Sequence, residues 1–573
     1  MDDNMKFHAL KSRLAAGCLA VLLAVSANAA TSAKWDAFVK DYLDGYFAQN
    51  PASAVMQGRH EYDGQLPDWS EAGLKQKVTW LEAKKTAAAA FTNDALDVRQ
   101  QFERDYLIMQ ARGDLFWLTT ADAPHTNPAW YGDAIDPDVY VSRPYASLGA
   151  RLTAYIKYAK SVPVAIAQIK ENLKGPLAKP LAAIGQQAIG GIADFLEQDV
   201  PKVFASELTG AKKTEFAAAN AAAIKSVREF SAWLAEREKT ATASFALGAD
   251  KFRAMLRETE GVDVSLDELE AAGQRDMDRN LAALTEACAK YAPGKTVEEA
   301  VALAWAHKPT GGVVPYAREQ LKELEQFVRS KDLMTVPGTE KALVDESPPY
   351  KAWNFAYINI PGPYEKNLPS TYFVSPPDPK WPVEKQNGYI PSIGYLKYTS
   401  AHEVWPGHFL QFLHANRSPS KFGQVFIGYA YAEGWAHYTE EMMWEAGLDG
   451  DSAEMHIGQL QQALLRNARF LSAIGMHTKG MTLAESVKLF REKGHSDAGN
   501  AEQQANRGTF DPAYLNYTMG KLMIRKLRAD WTATRGGRAA WKEFHDQFLQ
   551  FGGPPIPLVR RAMLGADDKG SLF

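Results

Sequence analysis

Cysteine is all but missing from this chain: Cys18 and Cys288 are the two among 573 residues. Cys18 sits in an N-terminal apolar run, so no disulfide can form within the folded part, and stability has to come from a buried core. Long apolar runs are scarce too. After that first one, no stretch of 18 apolar residues occurs, so no further membrane span is expected. Neither sign of charge dominates: 64 Lys and Arg stand against 68 Asp and Glu, a net charge of −4. So mildly acidic a chain argues against a nucleic-acid partner. Internal repeats and boundary-marking linkers are also lacking, and residues 30–573 read as a single unit.

The N-terminus is a different matter. Lys6, Lys11 and Arg13 precede the apolar run LAAGCLAVLLAVSA, which ends in Ala27-Asn28-Ala29. That is the pattern of a secretory signal over 1–29 with an A-x-A cleavage site, and it places the mature protein in the periplasm or outside the cell. Asp2 and Asp3 are unusual in such a leader, which makes Met5 a candidate start. Cys18 follows Ala-Gly, as a lipidated cysteine would, but most of the apolar run comes after it, so it reads as part of the hydrophobic core of the leader.

From about 30 to 330 the pattern is helix after helix. Asn50-Pro51 stops the first, WDAFVKDYLDGYFAQ, and Thr92-Asn93 separates the next two. The pairs Ser265/Glu268, Thr296/Glu299 and Thr482/Glu485 fit capping boxes and predict helix starts near Leu266, Val297 and Leu483. Residues 121–147 read as a long aromatic, proline-bearing loop. Between Asp332 and Ser392 prolines recur around two β-prone runs, NFAYINI and STYFV. These predict a small sheet, or alternatively a proline-rich surface loop. After Ser400 the chain is helical again. The expected fold is therefore mainly α, with a helical N-terminal half (30–330) and a C-terminal half (331–573) that carries the β element and the chemistry.

That chemistry lies between Tyr398 and Glu441. His402 and Glu403 are adjacent, His408 follows after Val-Trp-Pro-Gly, and Glu433 lies farther on. A zinc hydrolase needs neutral imidazoles and a carboxylate around the ion, an open position for water, and a second carboxylate as base. His402, His408 and Glu433 can supply the first set and Glu403 the second. The common helical pattern is H-E-x-x-H, with both rings on one face. Here the second histidine comes at i+6, about 240° around a regular helix at ~100° per residue. Pro406 and Gly407 lie inside the insertion, so the helix is expected to bulge or stop there and return His408 to the site. The alternative is two ordinary histidines at a helix end with a capping or paired Glu433. Against that, Glu433 stands among Tyr429, Tyr431 and Trp435, where a glutamate is usually paired or coordinating.

HEVWPGHFLQ, the later EGWAHY, the spacing Arg507, Pro512, Tyr517, Gly520, and PASAVMQGRHEYDGQLPDWS near the start together resemble family 885 of the bacterial domains of unknown function. That family is similar to the Glu-zincin metallopeptidases, alongside thimet oligopeptidase and angiotensin-converting enzyme. The resemblance covers most of the mature chain. It implies an elongated helical zincin-like peptidase fold with a central channel, one Zn2+ held by His402, His408 and Glu433, and Glu403 as general base. It also implies that Tyr517 stabilises the oxyanion.

Other candidates are less defined. Tyr514 is a nearby rival to Tyr517 and could contact substrate. Arg507 could aid catalysis by gripping a substrate carboxylate, or form a structural ion pair. His437, one turn after Glu433, could touch substrate or stand behind a ligand, although a surface or core histidine is the commoner outcome. His414 is expected to point elsewhere. The function these readings imply is a secreted zinc peptidase acting on a peptide substrate. Its rivals are a zinc amidohydrolase for a non-peptide amide and a metal-holding binding protein without turnover. A purely structural site needs no base like Glu403, which argues against the last.

Overall fold

Serine, threonine and aspartate caps set the starts of many of the helices, as the sequence predicts. The computed structural model describes residues 32–348, 351, 355–365 and 367–573. The secretory signal expected over 1–29 lies outside the described residues. The described part is mainly helical, with one small sheet.

The principal helices of the first half are α1 (32–49), α2 (Glu71–Ala89), α3 (Val98–Leu115), α4 (Leu148–Asn172), α5 (Lys179–Gln198) and α6 (Gly210–Lys239). The helix before Asn50 ends there as expected, and a short one, Pro51–Met56, restarts at the proline. α3 opens on a reciprocal capping box of Asp97 and Gln100. α4 to α6 pack together around Tyr155, Phe204, Phe216 and Phe230, all buried. Residues 121–147 are not one open loop. They fold into short helical pieces, Ala123–Thr126, Pro128–Tyr131, Asp133–Ile135 and Asp138–Ser142. Their Tyr131, Ile135 and Tyr140 are buried in the same core, and that burial holds the segment.

α7 (Leu266–Tyr291) and α8 (Val313–Ser330) follow, then the sheet. Ser265 caps α7, while Thr296 and Thr482 form full capping boxes with Glu299 and Glu485. β1 (Ala342–Glu346), β2 (Ala356–Asn359) and β3 (Ser370–Val374) lie in the order β1-β3-β2. β3 runs parallel to β1, with Val344 opposite Tyr372, and antiparallel to β2, with Tyr357 opposite Phe373. The two β-prone runs are thus β2 and β3. β1 escaped the sequence pattern because its half-polar ALVDE shows only Val344 buried. β3 alternates cleanly, burying Ser370, Tyr372 and Val374.

The remaining principal helices are α9 (Ile393–Glu403), α10 (His408–Ala415), α11 (Tyr429–Glu445), α12 (Ala453–Thr478), α13 (Ala498–Phe510), α14 (Asn516–Thr532) and α15 (Trp541–Gln550). α12 is central: α7, α9 and α13 all pack on it. α11 lies along α14. The largest core spans Phe252 to Val559 and reaches back to Phe116, so α7 and α8 belong with the second half rather than the first. The division between the two large cores falls between Leu234 and Phe252, well before the change of texture near Asp332. A third core joins α1 and α3 to Phe422, Phe426 and Leu558, and Tyr106 donates from α3 to the carbonyls of Phe426 and Gly553 at 2.6 and 3.0 Å. Among the described residues no helix is long and apolar enough to cross a membrane.

Candidate metal centre

The site begins where α9 stops. Ser392 caps the helix, and its last turn carries His402 and Glu403. Pro406 cannot extend the hydrogen-bond ladder. Gly407 folds back so tightly that its N–H donates to the Ala401 carbonyl at 2.9 Å, and a Cβ there would lie 1.7 Å from the His402 carbonyl oxygen. Glycine is therefore required by space at this position. The indole of Trp435, on α11, donates to the Pro406 carbonyl at 2.9 Å and pins the break. α10 then starts at His408 itself. Two helices in place of one bring the His402 and His408 rings to 4.8 Å between centroids, at 87°.

Glu433 completes the group from α11. Its Oε2 lies 3.2 Å from His402 Nε2 and 3.4 Å from His408 Nε2. His402, His408 and Glu433 are the group of metal-capable side chains found among the described residues. Donors held at ~2.0–2.2 Å around a tetrahedral zinc lie about 3.3 Å apart, so these separations fit that ion. The electrostatics fit as well. Burial opposes ionisation of Glu433, yet His408 and His402 beside it hold its carboxyl well below the usual range. Burial would push His402 down, but Glu433 and Glu440 outweigh it and raise the imidazole to about 9. The pocket is built to favour positive charge.

Behind the donors stands Glu440, fully buried on α11. Its Oε1 accepts from His402 Nδ1 at 2.7 Å, which leaves Nε2 facing the site. Its Oε2 is 3.2 Å from His437 Nδ1, and Arg466 from α12 contacts Oε1 at 3.2 Å. Burial pushes His437 down to about 4, so it is neutral at ordinary pH. His437, for which the sequence leaves a substrate contact, a partner behind a ligand and a core histidine all open, is wholly buried and contacts Glu440 alone among these groups, which excludes a substrate contact. Glu440 carries no motif of its own, although its position seven residues after Glu433 puts both on one helix face. Arg466 had no sequence signal at all.

Glu403 is half-buried and accepts no hydrogen bond from a described residue; burial raises its carboxyl above the usual range, against His408 and His402. Tyr517 lies flat beside His402, ring centroids 6.1 Å apart at 19°. It gets there through a close approach of α14 to α11. A Cβ on Gly520 would sit 2.1 Å from the Ala430 carbonyl oxygen, and one on Gly434 would sit 2.5 Å from Gly520 Cα. The glycine three residues after Tyr517 thus lets α14 touch α11 and bring the phenol to the donors. Arg507 forms the ion pair foreseen as its alternative: Nη2 is 3.0 Å from Asp511 Oδ2 and donates to Tyr429 Oη at 2.8 Å. Tyr514 is wholly buried under α13, where a Cβ on Gly508 would meet its hydroxyl at 2.3 Å, so neither it nor His437 offers surface to a substrate. His414 points away, to the Thr335 carbonyl at 2.8 Å.

The sheet sits against this site. Tyr372 of β3 reaches Ser400 Oγ on α9 at 3.4 Å, and β2, an edge strand, also contacts α9.

Comparison with known proteins places this geometry in a family. The profile described as "Bacterial protein of unknown function (DUF885)" matches residues 51–563. No curated protein matches significantly. A solved structure from Shewanella oneidensis, described as "a putative lipoprotein of unknown function", superposes with a TM-score of 0.77 at 23% identity, covering 92% of this chain and 99% of that one. Another, "the putative lipoprotein from Colwellia psychrerythraea", gives 0.78 at 18% identity over 93% and 99%. At these identities the likeness is one of fold.

Proposed function

This chain belongs to the bacterial DUF885 family, and from that premise we propose that it is an exported zinc-dependent peptidase. The observation that carries the reading is the donor set: two Nε2 atoms at 3.2 and 3.4 Å from one carboxylate oxygen, with Glu403 beside them and not among them. The same order of residues supports grouping the fold with the zincin-like peptidases and expecting a substrate channel over the site.

His402, His408 and Glu433 would hold the ion. Zinc, when bound, polarises a scissile carbonyl and acidifies water beside it. The chain's own residues do the rest. Glu403, half-buried with its carboxyl raised, takes the proton of the attacking water and passes it to the leaving amine. Tyr517 donates to the developing oxyanion. Glu440 and Arg466 fix the His402 ring so that Nε2 stays aimed at the donors. An extended substrate strand added to the free edge of β2 would run past α9.

A library of internally quenched peptides, incubated with and without a chelator, tests this. Cleavage that the chelator abolishes and added zinc restores is expected. No cleavage of any peptide by zinc-loaded protein would contradict the reading; turnover of non-peptide amides alone would favour the amidohydrolase.

A further inference from the structure

Three arginines surround the ring of Tyr517: Arg466, Arg469 and Arg507, with Cζ at 5.8, 4.8 and 5.8 Å from its centroid. Two of them are neutralised, Arg466 by Glu440 at 3.2 Å and Arg507 by Asp511 at 3.0 Å. Arg469 is not. It is 93% buried, being 7% exposed, yet no described carboxylate lies within 4 Å of it. Its Nε donates to Gln504 Oε1 at 2.8 Å, which fixes the plane of the guanidinium. Nη1 and Nη2 bond to no described residue, and neither is among the polar atoms sealed from solvent, unlike Arg466 Nε. A buried charge without a counter-ion is costly unless something else supplies the anion.

The missing anion has a place in the site. Arg469 Cζ is 4.8 Å from the Tyr517 ring centroid, which is itself 6.1 Å from the His402 ring, so Arg469 stands beside the donors with one ring between them. An extended peptide advances about 3.3–3.6 Å per residue, so the guanidinium lies within about three residues of the donors. The paired Nη1 and Nη2 atoms of a guanidinium match the two oxygens of a carboxylate.

We propose that Arg469 is the specificity-determining residue of the site and receives a carboxylate of the substrate within about three residues of the scissile bond. This rests on the peptidase reading above and names its substrate class: peptides with a free C-terminal carboxylate, or an acidic side chain, at that spacing.

Calorimetric binding to the full mature chain carrying Glu403→Gln tests it. Three peptides of one sequence are compared: the free acid, the C-terminal amide, and an amide with one Glu near its end. At least one carboxylate form should bind about 10-fold or more tighter than the neutral amide, as expected for charge-assisted hydrogen bonds. Which form gains tells the terminal carboxylate from the side chain. Arg469→Gln should erase the difference, and Arg469→Lys should restore part of it. Equal binding of all three peptides, or no measurable binding of any, overturns the proposal without requiring an arginine variant to fold. A preference that survives in Arg469→Gln overturns it too. The peptidase reading fails separately, if the unaltered protein with zinc cleaves none of these peptides while still preferring the carboxylate forms in binding.

Discussion

His402 has a carboxylate on each ring nitrogen, Glu440 at 2.7 Å from Nδ1 and Glu433 at 3.2 Å from Nε2. The first orients the ring and the second would share a bound cation, and the two roles can be separated because they lie on opposite edges of one imidazole. Tyr517 can be separated in the same way, since it lies beside the donors without being one. Tyr517→Phe keeps the ring against His402 and removes only the hydroxyl. Steady-state kinetics should show kcat down by about 10²–10³-fold, the usual value of one oxyanion donor, with zinc content unchanged. Unchanged kcat would remove Tyr517 from the chemistry. At this scale the sequence was readable where chemistry dictates residue type and spacing, as at His402, Glu403, His408 and Glu433, while Tyr517 came only from the family resemblance; all five meet at one place. It was silent on Glu440, Arg466 and Arg469. A charged side chain on a helix looks the same in sequence whether it faces solvent or a buried partner.

At the scale of elements, the site depends on how four helices meet. α9 stops at Glu403 ahead of Pro406-Gly407, α10 starts at His408, and α11 and α14 touch at Gly434 and Gly520. The break was legible because proline and glycine act locally; the Gly434–Gly520 contact joins distant segments and was not. The N-terminus of α11 shows another long-range device. Its cap, Gly428, has no side chain, and Glu260 from residues 256–260 lies there instead, accepting from the Ala430 N–H at 3.4 Å and from Asn516 at 2.9 Å. Burial pushes the Glu260 carboxyl up to about 8, against those two hydrogen bonds. In the unfolded chain it titrates near 4.3. The folded state therefore binds the extra proton between these values. The stability this contributes is fully present below about pH 4.3 and is lost as pH rises through about 8, by at most ~1.4 kcal/mol per pH unit. Glu260→Gln is neutral throughout. Its melting temperature should match the parent near pH 4 and exceed it increasingly up to about pH 8, above which the gap levels off. A difference that does not vary with pH would show that Glu260 is ionised in the fold.

At the scale of the whole molecule, the proline-rich texture between 332 and 392 left a small sheet and a surface loop both open until the strands were seen, while the helical class followed from periodicity. The grouping of the cores did not. Helices α7 and α8 look like their predecessors in sequence, and only packing assigns them to the half that carries the site. The leader remains a matter for direct measurement. Intact mass and N-terminal sequencing of the protein from its native host should find a chain beginning at Ala30 or within a few residues, as the A-x-A pattern predicts. A lipid-modified N-terminus at Cys18 would contradict this and match how the Shewanella and Colwellia proteins are described.

The account as a whole turns on Glu403 being a base and not a ligand. Glu403→Gln keeps the shape of the side chain and removes its ability to take a proton. The decisive measurement is bound zinc and peptide turnover on the same preparation of that variant. The account predicts one zinc per chain, as in the parent, with turnover reduced by at least ~10²-fold. Loss of the zinc would make Glu403 a ligand, and full activity with zinc retained would place the chemistry elsewhere in the chain.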